Sequence, residues 1–234
     1  MTTTEERNIA ERWKYEGAGG RSYPVEPGQV WEVLSQGRTR SHIYACLDFM
    51  SDEGTVRVEE LLRQYPPTLL YCDPPWGQGL VNGFRTKAGL DKADYRWEDL
   101  YRRVIGYVGR EVPIWLESGR REREQVLEIL KGYDNVTVFP ATYYKRNPSL
   151  IYYAGEVPPV VDVSGMDDGD TPGVVMSRMP HGRVFDPCAG LGGTAVHAAR
   201  QGWSSLSIEM SPFRQSAGLF QLSGELGTVP TLIS

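Results

Sequence analysis

The hydrophobic positions of the chain change repeatedly between short continuous runs and stretches with helical spacing. Mainly apolar runs predict buried strands at 41–50, 68–75, 112–118 and 183–190, and "SSLSIEM" predicts a further strand at 204–210. Apolar residues at helical spacing predict helices at 55–65, 92–109, 121–132, 193–202 and 212–227. Residues 135–155 predict two strands joined by a turn at "KRNP". Strands that alternate with helices favour an α/β fold, a mostly parallel sheet with helices on both faces and a terminal antiparallel hairpin strand.

The remaining stretches are polar, or rich in glycine and proline. Residues 77–92 hold Gly, Gln, Asn and Lys and predict a long loop, and residues 156–171 predict a second loop. Residues 172–180 predict a short helix. We expect residues 1–40 to form an N-terminal arm and residues 41–234 to form a single domain.

Composition places the chain among ordinary globular proteins. It has 234 residues, 40% hydrophobic and 24% charged, which is enough for one α/β domain with a full core. No window approaches the roughly 18 apolar residues of a membrane helix, and "MTTTEERNIAERWKYEG" lacks the apolar segment of a signal peptide. Cys46, Cys72 and Cys188 show no metal-binding spacing, so free thiols in a reducing compartment are expected. We expect no metal site.

Charge makes a nucleic-acid partner less expected without excluding one. The chain has 25 Lys and Arg against 30 Asp and Glu, a net charge of −5. Nucleic-acid-binding proteins usually present a basic surface, but a local basic cleft can coexist with an acidic total.

The stretch "RVFDPCAGLGGTA" places Asp186 and then several glycines at the end of a predicted strand. Glycines allow a ligand to approach the backbone closely. Glu209 ends the next strand, where an acidic residue is suited to bind a ribose diol. A tight turn without ligand stays open, and so does a nicotinamide or flavin site. Against the latter, the glycines are compressed to G-x-G-G and Asp186 would meet a pyrophosphate. A carboxylate there favours a cofactor with a cationic amino group.

The stretch "LLYCDPPWGQG" ends another strand on Asp73, Pro74, Pro75 and Trp76. Proline has no N–H, so this stiff corner offers hydrogen-bond acceptors: the Asp73 carboxylate and the Pro74 carbonyl. Two such acceptors suit an exocyclic amine and would stabilise positive charge that grows on its nitrogen. Trp76 offers a face on which a base can stack, worth roughly 1–3 kcal/mol. A proline-stiffened strand exit with a buried Trp is the structural alternative.

These two motifs resemble those of S-adenosylmethionine-dependent amino-methyltransferases. "DPPW" is similar to the family's catalytic motif and "FDPCAGLGGTA" to its cofactor motif, whose common form is D-P-F-x-G-S-G-T-T. The catalytic motif comes first, as in the permuted beta class of bacterial and phage DNA methyltransferases. The resemblance covers about residues 42–220 and implies a Rossmann-like methyltransferase fold. Cys188 departs from the usual Phe, and Leu191 and Gly193 depart from Ser and Thr.

The resemblance implies roles for individual residues. Catalysis would involve Asp73, Pro74, Pro75 and Trp76. The cofactor S-adenosyl-L-methionine would contact Asp48, Asp73, Asp186, Ala189, Gly190, Gly192, Thr194 and Glu209, with Asp48 at the adenine and Glu209 at the ribose. Thr171-Pro172 weakly resembles the family's T-K-P helix start beside the cofactor.

Polar side chains near the catalytic motif are candidates to hold nucleic acid. Cations suit phosphates and amides suit base edges, which gives the set Gln78, Asn82, Arg85, Lys87, Lys92, Lys145 and Arg146. The run Arg120, Arg121 and Arg123 could also contact phosphates, although a solvated face is the preferred interpretation of these three residues. Residues 77–97 and 143–171 are the only candidates for small target-recognition elements.

The predicted reaction is methylation of adenine N6 in DNA, because Asp rather than Ser in the first motif position favours adenine in this family. A base in duplex DNA would have to be flipped out of the stack. RNA adenine, cytosine N4 or a protein amide remain alternatives, and so does a catalytically silent, nucleic-acid-binding subunit of a methylase. A homodimer or a partner subunit remains open. The expected setting is the cytoplasm of a bacterial or phage-infected cell, in restriction–modification or phage biology.

Overall fold

The computed structural model describes residues 23–35, 37, 39–143, 147–155 and 170–234. Its strands are β1 (Val30–Leu34), β2 (Ser41–Cys46), β3 (Leu69–Cys72), β4 (Ile114–Gly119), β5 (Val136–Tyr143), β6 (Asn147–Ala154), β7 (Arg183–Asp186), β8 (Ser204–Glu209) and β9 (Thr231–Leu232). Its helices are α1 (Asp52–Gln64), α2 (Gly77–Lys87), α3 (Trp97–Gly106), α4 (Arg123–Ile129), α5 (Thr171–Ser177), α6 (Gly193–Arg200) and α7 (Pro212–Leu226), and a 3₁₀ turn covers Arg120–Glu122.

The strands form one sheet in the order β5-β6-β4-β3-β7-β8-β2-β1-β9. The five central strands, from β4 to β2, pair in parallel. Antiparallel pairs add the β5–β6 hairpin beyond β4, and β1 and β9 beyond β2. Among these nine strands only β1 and β6 run against the others, so the sheet is mostly parallel, as the sequence predicts.

The crevice between β3 and β7 is the point where the connections diverge. From β3 the chain passes through α2 and α3 to β4 on one side, and from β7 it passes through α6 to β8 on the other. Ligands bind at such a switch point, outside the carboxyl ends of the strands. The two predicted motifs follow these two strands directly, so the topology brings them together.

Helices cover both faces of the sheet. Helices α1, α3 and α4 bury apolar residues such as Leu61, Tyr101 and Val126 against one face. On the other face, α5 and α6 bury Met176 and Ala198, and α7 packs in an adjoining cluster. Each fully buried large apolar side chain contributes about 1.5–3 kcal/mol. A core on both faces explains why the central strands are buried at nearly every position rather than at alternate positions.

Two sequence predictions are wrong. Residues 77–92 are not a long loop, because α2 occupies Gly77–Lys87. Leu80, Val81 and Phe84 lie at helical spacing and all three line the pocket described below; the glycines and amides conceal that short stripe. Residues 1–40 are not all an arm either, since β1 pairs with β2 over Val30–Leu34. Residues 1–22 lie outside the described part of the chain.

Other predicted elements are present with shifted ends. The helix predicted at 92–109 is α3, which starts at Trp97 and ends at Gly106, and its buried face includes Leu100, Tyr101 and Val104. The helix predicted at 121–132 begins with the 3₁₀ turn and is capped by Leu130, not by the glycine that follows. In the described part of the chain, no helix has both the length and the apolar character needed to cross a membrane.

Candidate functional site

The first half of the site is the corner that follows β3. Asp73 comes directly after the last buried residue of the strand, and Trp76 is the N-cap residue of α2. The Trp76 indole Nε1–H donates a 2.9 Å hydrogen bond to Asp73 Oδ1. The indole also packs beside Gly119 at the end of β4, where an added Cβ would lie 3.1 Å from the Trp76 ring. The corner therefore holds the Asp73 carboxylate and the indole in one fixed arrangement.

The second half is the glycine-rich turn between β7 and α6. Asp186 is 4% exposed, and its Oδ1 accepts a 3.0 Å hydrogen bond from the Cys188 N–H. Gly190 and Gly192 have φ values of +56° and +86°, which favour glycine. A Cβ at Gly192 would also meet the Tyr44 hydroxyl and lie 3.0 Å from Gly218 Cα. Glycine is thus required there for both conformation and space.

Two more carboxylates complete this edge of the sheet. Glu209 ends β8, is 6% exposed, and accepts a 2.8 Å hydrogen bond from the Ser211 N–H. Asp48 follows β2, and its Oδ1 accepts a 3.2 Å hydrogen bond from the Met50 N–H. These backbone N–H donors hold each carboxylate at the carboxyl end of its strand.

A single pocket of about 490 Å³ joins the two halves. The predicted residues that line it are Asp48, Asp73, Pro74, Pro75, Trp76, Asp186, Ala189, Gly190, Thr194 and Glu209. Gly192 is not among the residues that line the pocket. It packs against Tyr44 and against Gly218 of α7, where its conformation sets the path of the turn. The acceptor corner and the glycine turn therefore share one cavity, so one ligand can reach both.

Buried acidic groups dominate the electrostatics of the pocket. Burial raises the pKa of Asp186 to about 6, although hydrogen bonds from Thr194 and the Cys188 backbone oppose the shift. Burial also raises the pKa of Glu209 to about 7, opposed mainly by the nearby Arg214 cation. A cationic ligand would favour the ionised form of both groups. The pocket therefore suits a ligand with positive charge and hydroxyl donors better than a phosphate.

The Arg85 side chain lines the pocket instead of extending into solvent. Its Nη1 lies 2.6 Å from Asp48 Oδ2, and the two side chains are 12% and 20% exposed. The guanidinium carbon lies 5.5 Å from the centre of the Tyr95 ring. Arg85 thus lines the pocket as the ion-pair partner of Asp48, which differs from the phosphate contact that the sequence predicts.

Gln78 and Asn82 are also occupied within the chain. The Gln78 amide donates to the Tyr95 carbonyl and accepts from the Trp97 N–H, both at 3.0 Å. Asn82 Oδ1 accepts a 3.0 Å hydrogen bond from the Ala93 N–H. Both amides fasten α2 to the segment before α3, which explains their presence without base reading. Lys87 and Lys92 are exposed, whereas Lys145 and Arg146 lie outside the described residues.

Several pocket residues escape the sequence prediction. Glu117 on β4 is 1% exposed and lines the pocket together with Asp73. The signal was available, since Glu117 is the one acidic residue within the apolar run 112–118. Phe84 and Arg214 also line the pocket, with the guanidinium carbon 4.9 Å from the ring centre. That contact joins α2 to α7, and no local pattern reveals it.

Comparisons with known proteins identify the fold. No protein-family model and no curated protein sequence matches the chain. The structure resembles M1.HpyAVI, with a TM-score of 0.51 and 13% identity over 71% of this chain and 93% of that chain. It also resembles TTHA0409 from Thermus thermophilus in complex with S-adenosyl-L-methionine, with a TM-score of 0.52 and 15% identity over 74% and 95% of the two chains. A third similar structure is PvuII DNA methyltransferase, described as cytosine-N4-specific, with a TM-score of 0.50 and 14% identity over 70% and 83%.

The matched regions include nearly all of the first two of those chains and about three quarters of this one. At these identities the likeness concerns the arrangement of helices and strands. The comparisons confirm the predicted α/β architecture, a Rossmann-like methyltransferase fold.

Proposed function

We propose that this protein is an S-adenosyl-L-methionine-dependent methyltransferase that modifies the exocyclic N6 amine of adenine in DNA. The observation that carries the proposal is the shared pocket, in which the Asp73–Pro74 acceptor corner faces the turn at Gly190. The likeness to a DNA methyltransferase and to a structure in complex with S-adenosyl-L-methionine supports both the activity and the cofactor.

The donor set of the pocket fits this cofactor. S-adenosyl-L-methionine carries an amino group, a ribose diol and an adenine, and when bound it supplies an electrophilic methyl group on a positively charged sulfur. Asp186 and the backbone at Ala189 and Gly190 would hold the methionine part, and Glu209 would accept hydrogen bonds from the ribose hydroxyls. Asp48 also lines the pocket, and it would contact the adenine if its ion pair with Arg85 opened or if both groups shared the ligand.

The target amine would be held at the other half of the pocket. The Asp73 carboxylate and the Pro74 carbonyl would accept the two N–H bonds, which aims the nitrogen lone pair toward the glycine turn. Asp73 would also stabilise the positive charge that develops on nitrogen. Alignment of this kind supplies up to about 7–11 kcal/mol of the barrier reduction. Trp76 lies beside Asp73 and offers its ring to the base.

Adenine is favoured over cytosine by residue type alone. The resemblance associates Asp in the first motif position with adenine N6 and Ser with cytosine N4. The similar PvuII structure is described as cytosine-N4-specific, so the fold is compatible with either base. The choice of adenine therefore rests on Asp73.

The test is product identification. Purified protein is incubated with labelled S-adenosyl-L-methionine and unmethylated DNA, RNA or protein, and the polymers are digested for mass spectrometry. We expect N6-methyladenine in DNA; label only in RNA, in protein or at cytosine N4 would contradict the substrate assignment. Asp73→Ala should abolish the product while calorimetry shows that cofactor affinity is largely retained. Absence of cofactor binding by the folded wild-type protein would contradict the proposal and favour a silent subunit.

A further inference from the structure

The helix that follows the catalytic corner provides few groups for the substrate backbone. Gln78, Asn82 and Arg85 are held by contacts within the chain, as described above. Of the α2 residues predicted to contact nucleic acid, only Lys87 remains exposed. A polyanion held near the pocket therefore needs cations from another element as well.

The 3₁₀ turn Arg120–Glu122 adjoins the catalytic corner directly. It follows β4 without a gap, two residues after Ser118 and one after Gly119. Gly119 is the residue against which the Trp76 indole packs, and Glu117 of the same strand lines the pocket. The turn thus begins one residue after Gly119, which contacts the Trp76 indole of the corner.

Two arginine side chains of this turn are exposed to solvent. Arg120 and Arg121 are both exposed, and within the described part of the chain neither guanidinium has an ion-pair partner. Arg123 differs, because its Nη1 lies 2.5 Å from Glu124 Oε1. The Glu122 carboxylate points back toward Gly119 and Gly77, which leaves the outer side of the turn to the two arginines.

The acidic interior explains why such a rim is needed. Five acidic side chains line the pocket, among them Asp73, against the two cations Arg85 and Arg214. A phosphate that followed the target base inward would therefore meet an excess of like charge. A base carries no charge and can enter, while its flanking phosphates stay outside. Guanidinium groups suit this task, because they bind phosphate oxygens through paired N–H donors.

We propose that Arg120 and Arg121 form the phosphate-binding rim that holds the nucleic-acid backbone while the target base occupies the Asp73 corner. The inference rests on the proposed function, since it names the contact surface for the same substrate. For Arg120 and Arg121 it favours phosphate contact over the solvated face, the two alternatives that the sequence leaves open. Binding of two phosphates would release condensed counterions from the DNA. For each phosphate bound, the logarithm of the DNA-binding constant should fall by about 0.9 for every tenfold rise in salt concentration.

The experiment compares three proteins: wild type, the double variant Arg120→Gln with Arg121→Gln, and Arg63→Gln. Arg63 is the matched control, because it is exposed and lies in the last turn of α1. That helix leads to the amino end of β3, whereas the pocket lies at the carboxyl ends of the strands. Fluorescence anisotropy measures binding of a labelled DNA duplex from 50 to 200 mM salt. Calorimetry with S-adenosyl-L-methionine measures the cofactor pocket separately.

The double variant should bind DNA more weakly, with a salt slope smaller by about two. The ratio of wild-type to variant affinity should consequently fall roughly tenfold between 50 and 200 mM salt. Arg63→Gln and the cofactor affinity of all three proteins should be unchanged. An unchanged slope, or equal losses in the control, would overturn the inference even if the wild type methylates DNA. Loss of cofactor affinity in the double variant would also overturn it, by showing that the arginines support the pocket.

Discussion

Trp76 offers the sharpest test of how the proposed catalytic corner works. Its indole N–H donates a 2.9 Å hydrogen bond to Asp73 Oδ1 in a partly buried setting. Trp76→Phe keeps an aromatic face for the base but removes the donor. If the hydrogen bond orients Asp73, the variant should lose turnover rather than base stacking.

The size of the effect follows from the type of hydrogen bond. A hydrogen bond to a charged group contributes about 1.5–3 kcal/mol, and about 1.4 kcal/mol corresponds to a factor of ten in rate. Trp76→Phe should therefore lower kcat by about 10- to 150-fold, with KM for DNA nearly unchanged. Steady-state methylation of unmethylated DNA measures both constants, and calorimetry checks that cofactor affinity is retained.

A second variant separates the two roles of the indole. Trp76→Leu removes both the donor and the aromatic face, so it should raise KM in addition to lowering kcat. If Trp76→Phe leaves kcat at the wild-type level while Trp76→Leu raises KM, the indole acts only as a stacking platform. That result would refute an orienting role for the hydrogen bond.

Two further predictions concern the glycine turn and the buried acids. Gly192→Ala should lower the free energy of unfolding by about 2–5 kcal/mol, because Gly192 has a φ of +86° and an added Cβ would overlap Tyr44. Gly193→Ala is the matched control: its Cβ position has open space around it, so stability should change by at most about 1 kcal/mol. Chemical denaturation measures both variants, and equal effects would contradict the packing argument. Burial raises the pKa of Asp186 to about 6 and of Glu209 to about 7, so their contribution to stability is present at low pH and is lost as pH rises through 6–7. Affinity for the cationic cofactor should instead increase between pH 5 and 8, and a flat calorimetric profile would count against ionised carboxylates as its binding groups.

Local sequence is sufficient for the central strands and the two motifs, because continuous apolar runs end abruptly at Asp73 and Asp186. The same patterns indicate which two strand ends line the shared pocket. Strand β1 is harder to predict: it has five residues, one of them Glu32, and is ordered by pairing with β2. Its place in the sheet depends on a neighbour that the local pattern does not contain.

The roles of the α2 side chains are the least predictable part of the site. Arg85 and Asp48 are 37 residues apart, and their ion pair forms only because α2 is a helix rather than a loop. Glycines and amides usually mark loops, and here tertiary contacts outweigh that tendency. In a loop, the Gln78 amide would be available to bind a ligand. In the folded helix α2 it makes hydrogen bonds within the chain instead.

The two-residue strand β9 has a consequence for solubility. It pairs with Trp31 and Glu32 of β1, and the Ile233 N–H and Ser234 carbonyl extend the contact to Val30. Without residues 231–234, the backbone groups on the side of β1 that faces away from β2 would be unpaired along an open margin. Unpaired margins of that kind recruit strands from other molecules, so these few terminal residues help keep the chain from self-association.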